Sequence, residues 1–295
     1  MSWFTYLWYK LFAVVVRAAF RLLFRRRSAV PADIVCQIPS RGAGRTIKAH
    51  VYRSSSAPKV SPILINFHGS GFLFPLHGSD GDFCRQVSRQ TPYTVLDVRY
   101  RLAPERPFPA ALHDVEDTVH WVLQQPTQFD RSRVAISGFS AGGNLALAAA
   151  SSSFPRDTFR SILTFYPPLD LYTEPGAKVS PDPMGKPISP ALARMFNKCY
   201  IPTGMDARDP RISPGYAAAE RFPDRVLMVT AAGDNLAAEA ETLAARISQL
   251  PGREVICRRM HGCNHAWDKN APEGTIAGDA KEKAYAMAVA LLARS

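Results

Sequence analysis

The chain has 295 residues, 46% hydrophobic and 21% charged, a size that suits one large α/β domain or two small ones and a composition that excludes global disorder. Of the formal net charge of +11, six cations (Lys10, Arg17, Arg21, Arg25, Arg26 and Arg27) fall in residues 1–27 with no acid among them, so the basicity sits on an arm and not on the broad basic face of a nucleic-acid binder. Five cysteines (Cys36, Cys84, Cys199, Cys257 and Cys263) form no C-x-x-C pair, which argues against a disulfide framework or a zinc site and for a reducing, cytoplasmic setting.

The arm is also the most aromatic stretch, with Trp3, Phe4, Tyr6, Trp8, Tyr9, Phe12, Phe20 and Phe24. As a helix it carries Lys10, Arg17 and Arg21 on one face. Crossing a bilayer would bury those cations at about 2.5–3.5 kcal/mol each, so spanning is unfavourable. Charge interrupts the apolar run, and Arg25-Arg26-Arg27 stands where a signal peptide needs a small-residue cleavage site. Two readings stand open: peripheral membrane contact through residues 1–27, with the cations at the headgroups, or a helix that packs on its own domain. Either way residues 1–30 form a basic amphipathic arm.

Beyond it, residues 34–38 and 46–52 read as two strands around the turn Arg41-Gly42-Ala43-Gly44. The apolar run 63–67 reads as a buried strand leading into His68-Gly69-Ser70-Gly71-Phe72. A helix over 82–90, a strand over 93–98 and a helix over 112–124 follow, the last with apolar spacing at Leu112, Val115, Val119 and Val122. The run 133–137 leads into Gly138-Phe139-Ser140-Ala141-Gly142-Gly143-Asn144 and then an Ala-rich helix former. A strand over 162–166 is stopped by Pro167-Pro168. Residues 169–222, rich in Pro and Gly, break the rhythm with one helical patch at 190–200, and a long irregular insertion of this kind is usually functional, often a lid. Alternation resumes with a strand at 226–230, a helix at 236–250, a strand at 254–260 and a helix at 279–293. Strands alternating with helices predict a mostly parallel sheet covered on both faces, its ligands at the carboxyl ends of the strands.

Ser70, Ser140, Asp234 and His265 each lie just past a predicted strand, hence on one edge of that sheet. A serine in G-x-S-x-G between strand and helix is forced out of a tight turn whose glycines have no room for a Cβ, and the helix N-terminus aims free N–H groups at whatever reacts there. A nearly side-chain-free loop after residues 63–67 can aim backbone N–H groups at the oxyanion of acyl transfer. The serine needs a base oriented by a carboxylate. Among seven histidines, His265 follows the strand at 254–260, with His261 its competitor; His68 reads as a brace for its loop, and His50, His77, His113 and His120 as surface or helix residues. The carboxylate after the strand at 226–230 is Asp234, with Glu239 its competitor. The order Ser140, Asp234, His265 matches that of the α/β-hydrolase fold.

The chain resembles the hormone-sensitive-lipase family of α/β-hydrolase serine esterases from about residue 60 onward. The motifs that carry the resemblance are His68-Gly69-Ser70-Gly71-Phe72, Tyr100-Arg101-Leu102-Ala103-Pro104-Glu105 with Pro107-Phe108-Pro109-Ala110-Ala111, Gly138 to Asn144, Asp209-Pro210-Arg211-Ile212-Ser213-Pro214 and the His265 segment. It implies Ser140 as nucleophile, Asp234 as orienting acid, His265 as base, and the N–H groups of Ser70, Gly71 and Ala141 as oxyanion hole. The chain as a whole reads as a core of residues 31–168 and 223–295, with a cap built from the arm and the insertion 169–222. Two departures stand out. Ser70 replaces the middle glycine of H-G-G-G, which predicts either a reshaped hole or a contribution from its hydroxyl; Phe139 replaces the commoner acidic residue before the serine.

The leading function is therefore a serine carboxylesterase acting on a small or medium acyl ester. The same acyl-enzyme could equally serve acyl transfer or lactone chemistry, which water access alone distinguishes. A non-catalytic small-molecule receptor is disfavoured because His265 is present. No metal or cofactor motif is visible in the sequence, and no nucleic-acid partner is expected.

Overall fold

The computed structural model describes residues 9–18 and 30–294. Of the arm's features, Trp3, Phe4, Tyr6, Trp8, Phe20, Arg21, Phe24 and Arg25 to Arg27 lie outside the described residues. Helix α1 spans 9–18, and among the described residues no helix is long and apolar enough to cross a membrane.

The remaining elements, in chain order, are β1 (Ile34–Pro39), β2 (Thr46–Tyr52), β3 (Ser61–Phe67), α2 (Gly81–Gln90), β4 (Thr94–Val98), α3 (Ala110–Leu123), β5 (Phe129–Phe139), α4 (Ala141–Ala148), β6 (Ser161–Phe165), α5 (Pro190–Tyr200), β7 (Arg225–Ala231), α6 (Ala237–Ser248), β8 (Glu254–Met260) and α7 (Ile276–Ala293). Several boundaries differ from the sequence reading, the most at β5, which starts at Phe129 and not at residue 133. The Ala-rich helix starts directly after Ser140 and relaxes into a wider π turn over Ala149–Ser153. Helix α7 starts earlier, because the Thr275 side chain accepts from Gly278 N and caps it there.

The strands form one sheet in the order β1-β2-β4-β3-β5-β6-β7-β8. β1–β2 and β2–β4 pair antiparallel, and every later pair is parallel. Parallel strands covered on both faces need side chains that are apolar in both directions, which is what residues 63–67 and 226–230 supply. Ile63, Ile65 and Phe67 point into the core under α3, α4 and α6, while Leu64 points into the core under α2 and α7. Val226 and Met228 alternate with Leu227 and Val229 in the same way.

The chain leaves β3 for β4 on one side and returns to β5 on the other, so β3 and β5 are neighbours at the point where strand order reverses. A crevice opens there at the carboxyl ends. The loop after β3 and the turn after β5 face each other across it.

Candidate functional site

The turn after β5 is as tight as its glycines imply. A Cβ on Gly142 would lie 1.9 Å from Phe67 O, and one on Gly138 2.3 Å from the Gly142 backbone. Ser140 itself sits at φ 48°, ψ −120°, a conformation that side chains rarely adopt and that the surrounding packing must enforce. Its N–H donates to Phe165 O at 2.9 Å, which pins the turn to β6.

Ser140 Oγ lies 2.9 Å from His265 Nε2, and His265 Nδ1 lies 2.7 Å from Asp234 Oδ2. Asp234 is fully buried, and its other oxygen accepts from Leu236 N at 3.1 Å. The structure thus brings Ser140, Asp234 and His265 into one hydrogen-bonded chain, a constellation that can move a hydroxyl proton onto the imidazole while the carboxylate holds the ring. The two competitors lie elsewhere. His261 is exposed at the end of β8. Glu239 accepts from Leu169 N at 2.6 Å, Asp170 N at 3.2 Å and Lys178 Nζ at 2.5 Å, so it anchors the start of the insertion.

The loop after β3 is held from beneath. The His68 ring stacks on Tyr100 at 4.5 Å, with its Nδ1 3.0 Å from Gly69 O, and burial pushes its pKa down. Positive φ falls on Gly71 (53°) and Phe72 (62°), not on Ser70, so a serine in place of glycine costs the loop no backbone strain. Tyr100 donates its one proton to His68 O at 2.6 Å, so Ser70 Oγ, 2.6 Å from Tyr100 Oη, spends its own proton on that tyrosine. Ser70 Oγ also accepts from Phe72 N at 2.9 Å. The expectation that Ser70 lends its hydroxyl to an oxyanion is therefore corrected, leaving only its backbone N–H available. Ala141 opens α4, where the first N–H groups have no acceptor within the helix.

At the second departure, Phe139 stacks on Phe165 at 4.3 Å and receives Lys269 Nζ 3.6 Å from its ring centroid. The ring face thus presents negative potential to a cation where an acidic residue is commoner. Lys269 also bridges Asp80 and Asp268, each at 2.8 Å. Asp268 accepts from Tyr166 at 2.6 Å and Tyr285 at 2.7 Å, and the Tyr166 ring meets His265 edge-on at 4.8 Å. Sequence reasoning missed Tyr166, Asp268 and Lys269. Only the position of Tyr166 at the end of a strand, before Pro167-Pro168, hinted at a place beside the site.

Above the serine lies a cavity of about 790 Å³ with Phe74, Leu171, Ile188, Leu192 and Phe196 among its walls. Ser189 caps α5 by accepting from Leu192 N, with Pro190 in the first turn. That helix sets Phe196 against the loop after β3, where a Cβ on Gly71 would meet its ring at 2.7 Å. Asn144 ties the insertion to α4 by donating to Pro168 O at 2.8 Å and Ile212 O at 2.9 Å. From α1, Arg17 points at the domain and not at solvent. It meets Glu105 at 2.7 and 3.0 Å, Leu73 O at 2.9 Å and Ala103 O at 2.7 Å. Burial raises the Glu105 pKa, but the Arg17 hydrogen bonds, its own backbone N–H and the charges of Arg17 and Lys10 together outweigh it, and the carboxyl ends below its usual range.

The family model described as "alpha/beta hydrolase fold" matches residues 64–269. Esterase LipI of Mycobacterium tuberculosis is 35% identical over 130 residues, covering 42% of this chain and 40% of that protein, less than two thirds of its length. An arylesterase of Saccharolobus solfataricus is 28% identical over 210 residues, covering 70% of this chain and 68% of the other. Among solved structures, a hyperthermophilic esterase of Pyrobaculum calidifontis superposes with a TM-score of 0.80 at 26% identity, covering 100% of this chain and 98% of that one. With its motifs, its sheet order and these likenesses, the chain belongs to the hormone-sensitive-lipase-like family of α/β-hydrolase esterases.

Proposed function

We propose that this protein is a serine carboxylesterase that hydrolyses small or medium acyl esters through an acyl-enzyme on Ser140. The observation that carries the reading is the Ser140–His265–Asp234 chain, with contacts of 2.9 and 2.7 Å. Ser140 Oγ attacks the ester carbonyl carbon while His265 Nε2 takes the hydroxyl proton. Asp234 keeps the other imidazole nitrogen as the N–H and stabilises the imidazolium. The carbonyl oxygen, now negative, is received by the N–H groups of Ser70, Gly71 and Ala141. The C–O bond to the alcohol breaks, and that alcohol leaves with the proton from His265. Water then attacks the acyl carbon with His265 again as base, releasing the acid and restoring Ser140. No step calls for a cofactor. The apolar walls contributed by Leu171, Leu192 and Phe196 support an apolar acyl or alcohol group as the bound portion.

In the same proposal, α1 and residues 169–222 act as a cap over the core, 31–168 and 223–295. Arg17 on Glu105, Glu239 on Leu169 and Asn144 on Ile212 support that division. Peripheral contact of residues 1–27 with an anionic bilayer belongs to the proposal too. It is supported by the outward side of α1, where Leu11, Val14 and Val15 are 67%, 51% and 58% exposed at helical spacing. Co-flotation of the full chain with anionic vesicles at low salt, lost on deleting residues 1–27, tests that contact; the absence of flotation refutes it. For the activity, turnover of p-nitrophenyl esters of increasing chain length, wild type against Ser140→Ala, is the direct test. The expected result is hydrolysis that peaks at short or medium acyl chains and disappears in the variant.

A further inference from the structure

Beneath the loop that carries Ser70 and Gly71, the fold assembles a second cluster that the ester chemistry does not use. His50 comes from β2, Asp97 from the end of β4 and His77 from the segment between β3 and α2. Their nearest ligand atoms all lie within 4.8 Å of one another. His77 Nε2 is 3.5 Å from Asp97 Oδ2, and the His50 and His77 rings are 4.1 Å apart between centroids. Three strand-distant residues come together here, so no spacing motif announced them, and the reading of His77 as a surface residue is corrected: its side chain is 9% exposed.

We propose that His50, His77 and Asp97 form a binding site for a divalent transition-metal ion of the zinc type. Two independent observations point to a ligand. First, Asp97 is fully buried, and while its Oδ1 accepts from Asn66 Nδ2 at 3.1 Å, its Oδ2 has no hydrogen-bond partner among the described residues and lies 3.5 Å from His77 Nε2. A buried carboxylate oxygen without a donor is costly, and a cation is the most direct way to satisfy it. Second, Asp80, Asp97 and Asp268 are all buried, and Lys269 contacts Asp80 and Asp268, whereas among the described residues no lysine or arginine contacts Asp97.

The chemistry and the dimensions agree. Two imidazoles and one carboxylate are the donor set of a zinc-type site that keeps an open position. Ligands at about 2.0–2.1 Å in tetrahedral geometry stand about 3.3–3.4 Å apart, close to the His77–Asp97 separation. His50, whose ligand atom lies within 4.8 Å of the other two, would have to move closer for one ion to bind all three. His77 Nε2 now donates to Asp97 O at 2.9 Å. On binding, the neutral ring changes tautomer: its one proton passes from Nε2 to Nδ1 by way of solvent, and the metal takes the vacated Nε2 lone pair. A bound ion would cross-link β2, β4 and the segment that continues from the Ser70–Gly71 loop, stiffening that loop from below.

Titrating Co(II) into the full-length protein and following its visible d–d absorption tests the proposal. Saturation at one equivalent without a thiolate charge-transfer band is expected, with Zn(II) displacing the signal and raising Tm by a few degrees when well above its Kd. His50→Ala, His77→Ala and Asp97→Asn should each weaken binding at least ~10-fold. His50→Gln, at a half-buried strand position, guards against a folding artefact, with far-UV circular dichroism checked for each variant. His265→Ala should leave the cobalt spectrum unchanged. Failure of wild type to bind below millimolar Co(II), equal binding by the His50 and His77 variants, or loss of the signal in His265→Ala would each overturn it.

Discussion

Two histidine–aspartate pairs stand at the carboxyl ends of this sheet, and they differ in what lies on the far side of the imidazole. His265 and Asp234 meet at 2.7 Å, with Ser140 Oγ 2.9 Å away on the other ring nitrogen. His77 and Asp97 stand at 3.5 Å, with a second imidazole, His50, beside them. In the first pair each Asp234 oxygen has a partner, Leu236 N or His265, so a proton can shuttle to and from a hydroxyl without leaving a polar atom stranded. In the second, Asp97 Oδ2 has none among the described residues. The same residue types thus suit proton transfer in one place and a cation in the other, because geometry and the third group decide the chemistry.

The largest way to break the comparison is at the serine. Ser140→Ala is expected to lower kcat by about 10⁶ while Tm stays within a few degrees, since alanine fits the turn. His265→Ala should be comparably damaging and His261→Ala neutral, because His261 is exposed at the end of β8. Steady-state kinetics on the best p-nitrophenyl ester measures both.

Next comes the acid. Asp234→Asn should cost about 10⁴ in kcat by favouring the wrong imidazole tautomer. Glu239→Gln should cost less than about tenfold, because Glu239 anchors Leu169, Asp170 and Lys178. Burial pushes the Glu239 pKa up to about 6 against the pull of Lys178. A carboxyl raised in the folded state adds stability at low pH that is lost as pH rises through the folded value. The stability of wild type relative to Glu239→Gln should therefore fall between the ordinary carboxyl range and about pH 6. Denaturant melts across that window follow the sign.

The smallest effect concerns the arm. Arg17→Ala removes the contacts to Glu105, Leu73 and Ala103 and should destabilise by about 1–2 kcal/mol, the scale of a hydrogen bond to a charged group in a half-exposed setting. Since Phe72 and Phe74 beside Leu73 line the cavity, chain-length preference should shift as well. Thermal melts and the ester series test the two parts.

The parallel sheet was readable from the alternation of apolar runs and helical spacings, because burial on both faces leaves that pattern in the chain. The positions of Ser140 and His265 were readable because a strand end and a glycine turn are local features. What stayed hidden was non-local. Lys269 over Phe139, Tyr166 against His265, and Ser70 bonded to Tyr100 join residues 30 to 130 positions apart. The direction of Arg17 was hidden for the same reason. Helical periodicity places it on a face with Lys10, but only the loop beside it decides whether that face meets solvent or Glu105.

Reaction with a fluorophosphonate probe, followed by peptide mass spectrometry, is the measurement closest to the central claim. The account predicts one adduct, on Ser140, that forms in parallel with loss of ester hydrolysis and is absent from Ser140→Ala. An adduct on a different serine, or hydrolysis retained by Ser140→Ala, would contradict it.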